Sequence, residues 1–114
     1  MKYILSLIGD ESGWLNATPE EMQETIERVE AFNRELTDAG AFVSGEGMEE
    51  LAKSKTVRFK AGAPAVSDGP FSDSKEQVGG FWILECANID EALEWAQKAP
   101  MDDGAIEVRP LVGE

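Results

Sequence analysis

The sequence predicts a single α+β domain that spans residues 1–114. Two helical patterns alternate with strand-forming runs in the order strand, helix, strand, strand with a short return, strand, helix, strand. Without the middle hairpin, this order is the split β-α-β arrangement, in which an antiparallel sheet carries two helices on one face. The length suits one hydrophobic core, and the chain contains no repeat, linker or low-complexity segment.

The chain is strongly acidic. Its 10 basic and 23 acidic residues give a net charge of −13. A field of that sign repels phosphate backbones and anionic lipid, so we expect neither a nucleic-acid nor a membrane partner. Cys86 is the single cysteine, which excludes an intrachain disulfide and is typical of a reducing cytoplasm. The apolar run at residues 3–8 is too short for a signal peptide or a membrane span, so we expect a cytoplasmic location.

The first strand and the first long helix carry the clearest local signals. Residues 2–8 are rich in strand formers and almost wholly apolar, which predicts a central strand. Thr18 is placed to cap the helix, Pro19 suits its first position, and Glu21 completes a capping box. The helix is expected to stop at Gly40. Its apolar side chains recur at steps of three and four, at Met22, Ile26, Val29, Phe32 and Leu36.

The remaining elements are shorter. Residues 10–17 are expected to form a loop in which Trp14 covers the core or, as the less favoured alternative, lines a pocket. The second strand is predicted at residues 41–48, where Gly45 and Gly47 indicate a bulge or a close approach to the backbone. A second helix, capped by Asn88 or Asp90, is expected to end at Pro100, and the other strands are predicted at residues 56–60, 65–67, 81–86 and 105–109.

The predicted sheet has two apolar faces. Two helices on one side leave the opposite face without cover from the same chain. A second copy is the simplest cover, so the sequence predicts a homodimer packed sheet to sheet.

A series of short motifs extends along the chain. Asp68-Gly69-Pro70-Phe71 is followed by Lys75-Glu76-Gln77 and then by Gly79-Gly80-Phe81. Other motifs follow the same order, at residues 1–3, 32–36, 45–47, 91–96 and 106–110. Together they resemble the YCII-related family, whose signature is the DGPF motif, over essentially the whole chain. The resemblance implies a ferredoxin-like domain that pairs into a dimeric α/β barrel.

The resemblance implies no common reaction. Some relatives are thought to act on small cyclic acids or chlorinated aromatic breakdown products through a His-Asp pair, which a chain without histidine cannot form. Others are similar to proteins found beside alternative sigma factors. One hypothesis is therefore a dimeric domain that binds a small molecule, with lyase or isomerase activity on a small organic acid. The alternative is a non-enzymatic regulatory or protein-interaction module, linked to an alternative sigma factor.

Asp68 is the strongest candidate for a catalytic acid or base. It ends a predicted strand immediately before Gly69 and Pro70, where a turn would hold its carboxylate in place. The alternative role is that of a turn former that binds nearby backbone N–H groups.

Four further charged residues are candidates for substrate binding. Arg109 and Lys75 could hold an acidic group, with Glu76 orienting the bound molecule. Glu46, which lies between two glycines, could point into a cleft or face solvent. For the other three, exposed ion pairs are the alternative role.

No pattern predicts a metal or cofactor. The histidine and cysteine spacings of metal sites and the glycine-rich loops of nucleotide sites are both missing from the sequence. Cys86 has no histidine to activate it and is expected to be a buried, inert thiol. Trp82 and Trp95 could line a pocket, but packing is the expected role for aromatic residues at strand and helix positions.

Overall fold

The computed structural model describes residues 1–113 and confirms the predicted α+β fold. A single 3-10 turn at Leu51–Lys53 joins the second and third strands. The strands and helices are β1 (Lys2–Gly9), α1 (Ser12–Leu15), α2 (Pro19–Asp38), β2 (Phe42–Gly47), β3 (Lys55–Lys60), β4 (Ala63–Asp68), β5 (Gln77–Glu85), α3 (Ile89–Lys98) and β6 (Ala105–Pro110).

Four of the strands form one antiparallel sheet. Their order is β2-β5-β1-β6, which is the order of a ferredoxin-like fold. The apolar strand β1 lies between β5 and β6, so the prediction that it is central is confirmed. The other two strands, β3 and β4, pair only with each other in a separate hairpin.

The core lies between this sheet and the two long helices. Phe32 of α2 packs edge-on against Trp82 of β5 with ring centroids 5.0 Å apart, and against Trp95 of α3 at 6.1 Å. Both tryptophans therefore pack as predicted. The buried residues of the core are Tyr3, Leu5, Phe32, Leu36, Ala41, Trp82, Leu84, Cys86 and Ala92.

The predicted ends of α2 are confirmed. The Thr18 hydroxyl accepts a hydrogen bond from the Glu21 backbone N–H, and the Glu21 carboxylate accepts one from the Thr18 N–H. Gly40 follows the helix with a φ of 75°, a conformation that favours glycine. Only the C-terminal part of the apolar stripe is fully buried, at Phe32 and Leu36, whereas 43% of Ile26 is exposed.

Two short segments differ in detail from the predictions. Residues 12–15 form the helix α1 within the expected loop, because backbone N–H groups of this segment donate hydrogen bonds to the carbonyl oxygens of Asp10 and Glu11. The hairpin strands are longer than predicted and meet at a two-residue turn, where Ala61 and Gly62 have φ values of 50° and 83°. Positive φ at both positions is typical of tight hairpin turns.

The second face of the four-stranded sheet carries apolar residues. Ile4 and Ile83 are register partners there, and Phe81 lies on the same face opposite Ser6. The molecule is only 18 Å thick, which corresponds to one layer of sheet and one of helix. We call this surface the open face. In the described part of the chain, residues 1–113, none of the helices combines the length and apolar composition that crossing a membrane would need.

Candidate functional site

The cavity with the most apolar walls lies on the helix side of the sheet. It has a volume of about 350 Å³ and is bordered by the N-terminal half of α2, by α1 and by the neighbouring ends of β1, β2 and β5. We call it the helix cleft. Its walls are mainly apolar side chains and glycines, and the residues that line it include Leu7, Trp14, Met22, Val29, Asn33, Gly79 and Trp82.

The helix cleft has one firmly positioned polar group. The indole Nε1 of Trp82 donates a 2.8 Å hydrogen bond to Oδ1 of Asn33, which joins β5 to α2. Because the indole N–H can only donate, this bond fixes the orientation of the Asn33 amide. The Asn33 NH₂ group is therefore the half of the amide that can donate to a ligand.

Glycines form the floor of the cleft for steric reasons. A Cβ added to Gly45 would lie 2.7 Å from Cδ1 of Trp82, which is shorter than a van der Waals contact. A Cβ on Gly80 would lie 3.0 Å from the carbonyl oxygen of Glu46. The pairing of β2 also shifts register between Phe42 and Ser44. Of the two predicted alternatives, the close approach is present at Gly45, whereas the register shift lies before the glycines and not at them.

A second cavity adjoins the first at Trp14. It has a volume of about 550 Å³, and the polar side chains around it include Asp10, Glu11, Asp102 and Asp103. We call it the acidic groove. Trp14 lines both cavities, 39% of its surface is exposed, and it lies outside the core, so the less favoured of its two predicted roles is the one observed.

Three of the four acids of this groove, Asp10, Glu11 and Asp102, already have partners within the chain. Ser12 lowers the pKa of Asp10 through its backbone N–H, which donates to the carboxylate at 2.9 Å, and Lys75 makes a smaller contribution. Glu11 accepts a hydrogen bond from the Leu51 N–H at 2.8 Å. Asp102 is paired with Arg28 at 3.1 Å. Among residues 1–113, no cluster of three or more acidic or cysteine side chains has the arrangement of a metal site.

Asp68 lies at the base of the β3–β4 hairpin and borders neither cavity. Its side chain is 88% exposed and pairs with Lys55, its register partner, at 2.5 Å. The next residue, Gly69, has a φ of 94°, and its N–H donates to the carbonyl of Ser54 at 2.7 Å. The structure therefore places the predicted turn here, with the carboxylate directed to a lysine.

The other predicted residues are distributed over the surface. Lys75 and Glu76 are exposed in the loop that leads to β5. Arg109 is the register partner of Ile4 and shares the open face with it. Glu46 borders the helix cleft, but alternation along β2 places its side chain on the open face with its partner Phe81.

Glu46 and Arg109 thus share one face without meeting on it. They lie on β2 and β6, the two edge strands of the sheet. Three strand spacings of about 4.8 Å separate those strands, which is a distance of roughly 14 Å. Within one copy, the described cavities do not bring the five predicted charged residues together.

Cys86 is the inert thiol that the sequence predicts. It is 3% exposed and belongs to the core. Burial raises its pKa, and the neighbouring carboxylates of Glu91 and Glu85 raise it further. A thiol with a raised pKa has little of the nucleophilic thiolate at neutral pH.

Sequence reasoning missed Asn33 as a residue of the cleft and ranked pocket lining by Trp14 below a core role. Asn33 follows Phe32 on the buried side of α2, where a polar residue next to the apolar stripe was the available signal. For Trp14, a tryptophan in a predicted loop was the available signal, and it is compatible with a core role as well as with a pocket. The sequence around these two residues does not predict that Trp82 and α1 border the same cavity.

Comparison with known proteins agrees with the architecture. The family model of the YCII-related domain matches residues 1–113. An uncharacterized protein of Rhizobium meliloti (strain 1021) is 34% identical over 114 residues, which cover 97% of this chain and 92% of that protein. The chain therefore belongs to the YCII-related domain family.

Proposed function

We propose that the protein binds a small, largely apolar molecule in the helix cleft. The observation that carries this proposal is the Trp82–Asn33 hydrogen bond at the wall of an otherwise apolar cavity of about 350 Å³. Ligand sites are typically apolar cavities of this size with a few well-placed polar groups. Trp14 supplies exposed aromatic surface, and the Asn33 NH₂ group supplies a donor.

The chemistry of the cleft favours an uncharged ligand with a ring and an acceptor such as a carbonyl oxygen. The lining contains no lysine or arginine among the described residues, so a carboxylate would lose hydration there without gaining a cation. A flat ring would pack against Trp14. The Asn33 amide would then donate to the acceptor.

Lyase or isomerase activity on a small organic acid is the more specific proposal that the family resemblance suggested. It would use Asp68 as acid or base and Lys75 or Arg109 to hold the carboxylate, with Glu46 and Glu76 in supporting positions. Of these residues only Glu46 borders the helix cleft of a single copy, so the cleft supports binding more directly than catalysis. Catalysis by these residues would require that two copies, or a change in the conformation of one copy, bring their side chains together.

Homodimer formation through the open face belongs to the same proposal. The open face presents Ile4, Phe81 and Ile83 without cover from the described helices. Packing two such faces would remove this apolar surface from water and form a barrel-like pair. The cleft lies on the other side of the sheet and would remain accessible in such a dimer.

A regulatory or interaction module is the second candidate function. The observation that favours it is the outer surface of α2, which carries the acids Glu20, Glu24, Glu27 and Glu30. A basic protein partner would bind such a surface with an affinity that falls as salt rises.

Thermal unfolding against a panel of small ligands tests the first proposal. The panel contains neutral aromatic ketones and lactones, the corresponding acids, and divalent metal ions as a separate arm. A ligand at about one hundred times its Kd adds roughly 2.7 kcal/mol to the stability. Neutral ring compounds are expected to raise the Tm, and acids to raise it less.

Two neighbouring substitutions on α1 locate the site. Trp14→Ala removes a wall of the cleft and is expected to abolish the ligand-induced shift. Leu15→Ala, the control, changes an exposed residue of the same helix that borders neither cavity, and should preserve the shift. Equal ligand responses in the two variants would place binding elsewhere, and a panel without any stabilising ligand would contradict the proposal.

A further inference from the structure

The β3–β4 hairpin stands apart from the rest of the chain. We call residues 55–68 the arm. In the described part of the chain, the arm makes no extensive contact with any other strand or helix. The radius of gyration is 15.9 Å, whereas a compact domain of this length has a value of about 13 Å. A hairpin that projects from the rest of the chain explains why the radius of gyration is larger than that of a compact domain.

One face of the arm is apolar and uncovered. The register pairs Val57 with Val66 and Phe59 with Pro64, so these four side chains share a face. Phe59 is 71% exposed, Val66 68% and Val57 49%. Single exposed apolar residues are common, but a contiguous set on a projecting element is typical of an interaction surface.

The charge of the arm is opposite to that of the body. The arm contains Lys55, Arg58 and Lys60 against the single acid Asp68, which gives it a net charge of +2. The remaining residues carry a net charge of −15, because the chain as a whole has −13 and the arm has +2. A second copy therefore offers the arm an acidic surface on which apolar side chains such as Ile26 and Leu93 are also exposed.

The base of the arm is fixed by hydrogen bonds. The Gly69 N–H donates to the Ser54 carbonyl at 2.7 Å, and the Thr56 hydroxyl donates to the Gly69 carbonyl at 2.8 Å. The Arg58 guanidinium donates to the Phe71 carbonyl at 3.0 Å and lies 4.7 Å from the centre of the Phe71 ring. An arm held in one direction loses less entropy when it binds.

We propose that the arm of one copy packs its apolar face onto the acidic body of a second copy. This inference depends on the homodimer proposed above, to which it adds a contact that sheet-to-sheet packing does not require. An isolated two-stranded hairpin is only marginally stable, and the second copy supplies the cover that its own chain does not. Opposite charges on arm and body bring the two together and set the salt dependence of the dimer.

Removal of the arm tests the proposal. Because Ser54 and Gly69 are already hydrogen bonded to each other, two glycines can replace residues 55–68 and close the chain. Sedimentation equilibrium at low and high salt then gives the Kd of the dimer for the natural and the armless chain. We expect the armless Kd to be about tenfold higher or more, as for loss of a buried aromatic contact, and to depend less on salt.

A double substitution provides a second test that leaves the chain length unchanged. Phe59→Ser with Val66→Ser removes the apolar face and should also weaken the dimer about tenfold. Ala65→Ser, on the other face of the arm, is the matched control and should leave the Kd unchanged. If the natural chain is a dimer, and the armless chain and the double variant dimerise with the same Kd as the natural chain, the arm proposal is wrong while the homodimer stands. If the natural chain is monomeric at all concentrations, both are wrong.

Discussion

The indole of Trp82 and the amide of Asn33 connect the central part of the sheet to the long helix. The 2.8 Å hydrogen bond between them lies where the buried core gives way to the helix cleft. Trp82 is 4% exposed, so its N–H has lost nearly all access to water and depends on this one acceptor. The same bond therefore contributes to stability and sets the polar wall of the cleft.

Asn33→Ala is expected to destabilise the protein by about 1–3 kcal/mol, because it leaves the buried indole N–H without an acceptor. Urea denaturation measures the change. Arg34→Ala alters the next, exposed residue of α2 and should change stability by less than about 0.5 kcal/mol. Equal effects of the two substitutions would mean that the hydrogen bond contributes nothing.

Gly45→Ala is expected to destabilise the protein by about 1–3 kcal/mol through overpacking. The new methyl group would lie 2.7 Å from Trp82, whose ring is held by Phe32 and Asn33 and cannot move aside. Gly47→Ala is the control on the same strand, since a Cβ there meets no atom within 4 Å. Chemical denaturation measures the free energy of unfolding of both variants. If Gly45→Ala leaves it unchanged, β2 shifts easily to make room for the methyl group.

The capping box at the start of α2 should make stability depend on pH. The Thr18 backbone N–H lowers the pKa of Glu21 below its ordinary value of 4.5. Because the folded pKa is the lower one, the stabilisation is present above about pH 4.5 and is lost as the pH falls through the folded value.

Glu21→Gln measures this contribution, because the amide keeps the cap and cannot ionise. The difference in free energy of unfolding between the natural chain and this variant should shrink as the pH falls. Glu20→Gln removes a charge from the same turn without altering the capping box and serves as the control. A difference that is constant with pH would contradict the assignment.

Ile83→Lys tests the homodimer through the open face. A lysine beside Ile4, in the middle of two stacked sheets, would bury an unpaired charge and should give a monomer at all accessible concentrations. Sedimentation velocity reports the state, and Glu94→Lys on α3 introduces the same charge away from the open face. A dimer that persists in Ile83→Lys would exclude this face as the interface.

Much of the fold follows from local patterns. The strand β1, the capping box at Thr18 and Glu21, and the stop at Gly40 are encoded by residues within one or two turns of each other. Such signals predict element type and order well, and the order defines the split β-α-β arrangement. The short helix α1 was missed because four residues carry too little periodicity to distinguish a helical turn from a loop.

The candidate site was predicted less well, for a physical reason. The sequence predicted a site from charged residues near strand ends. Asp68, however, pairs with Lys55. Glu46 and Arg109 lie on opposite edges of the open face. The helix cleft instead depends on packing between residues far apart in sequence, such as Asn33 and Trp82. No local pattern specifies which side chains such packing brings together.

The sequence by itself determined the α+β class, the family and the acidic, single-cysteine composition, because these depend on local periodicity and residue content. Only the tertiary structure decided where the cavities lie, which face of the sheet is left open, and that the hairpin projects as an arm. Those features arise from long-range packing: the ring of Trp82 needs the space at Gly45 and the acceptor at Asn33 at once.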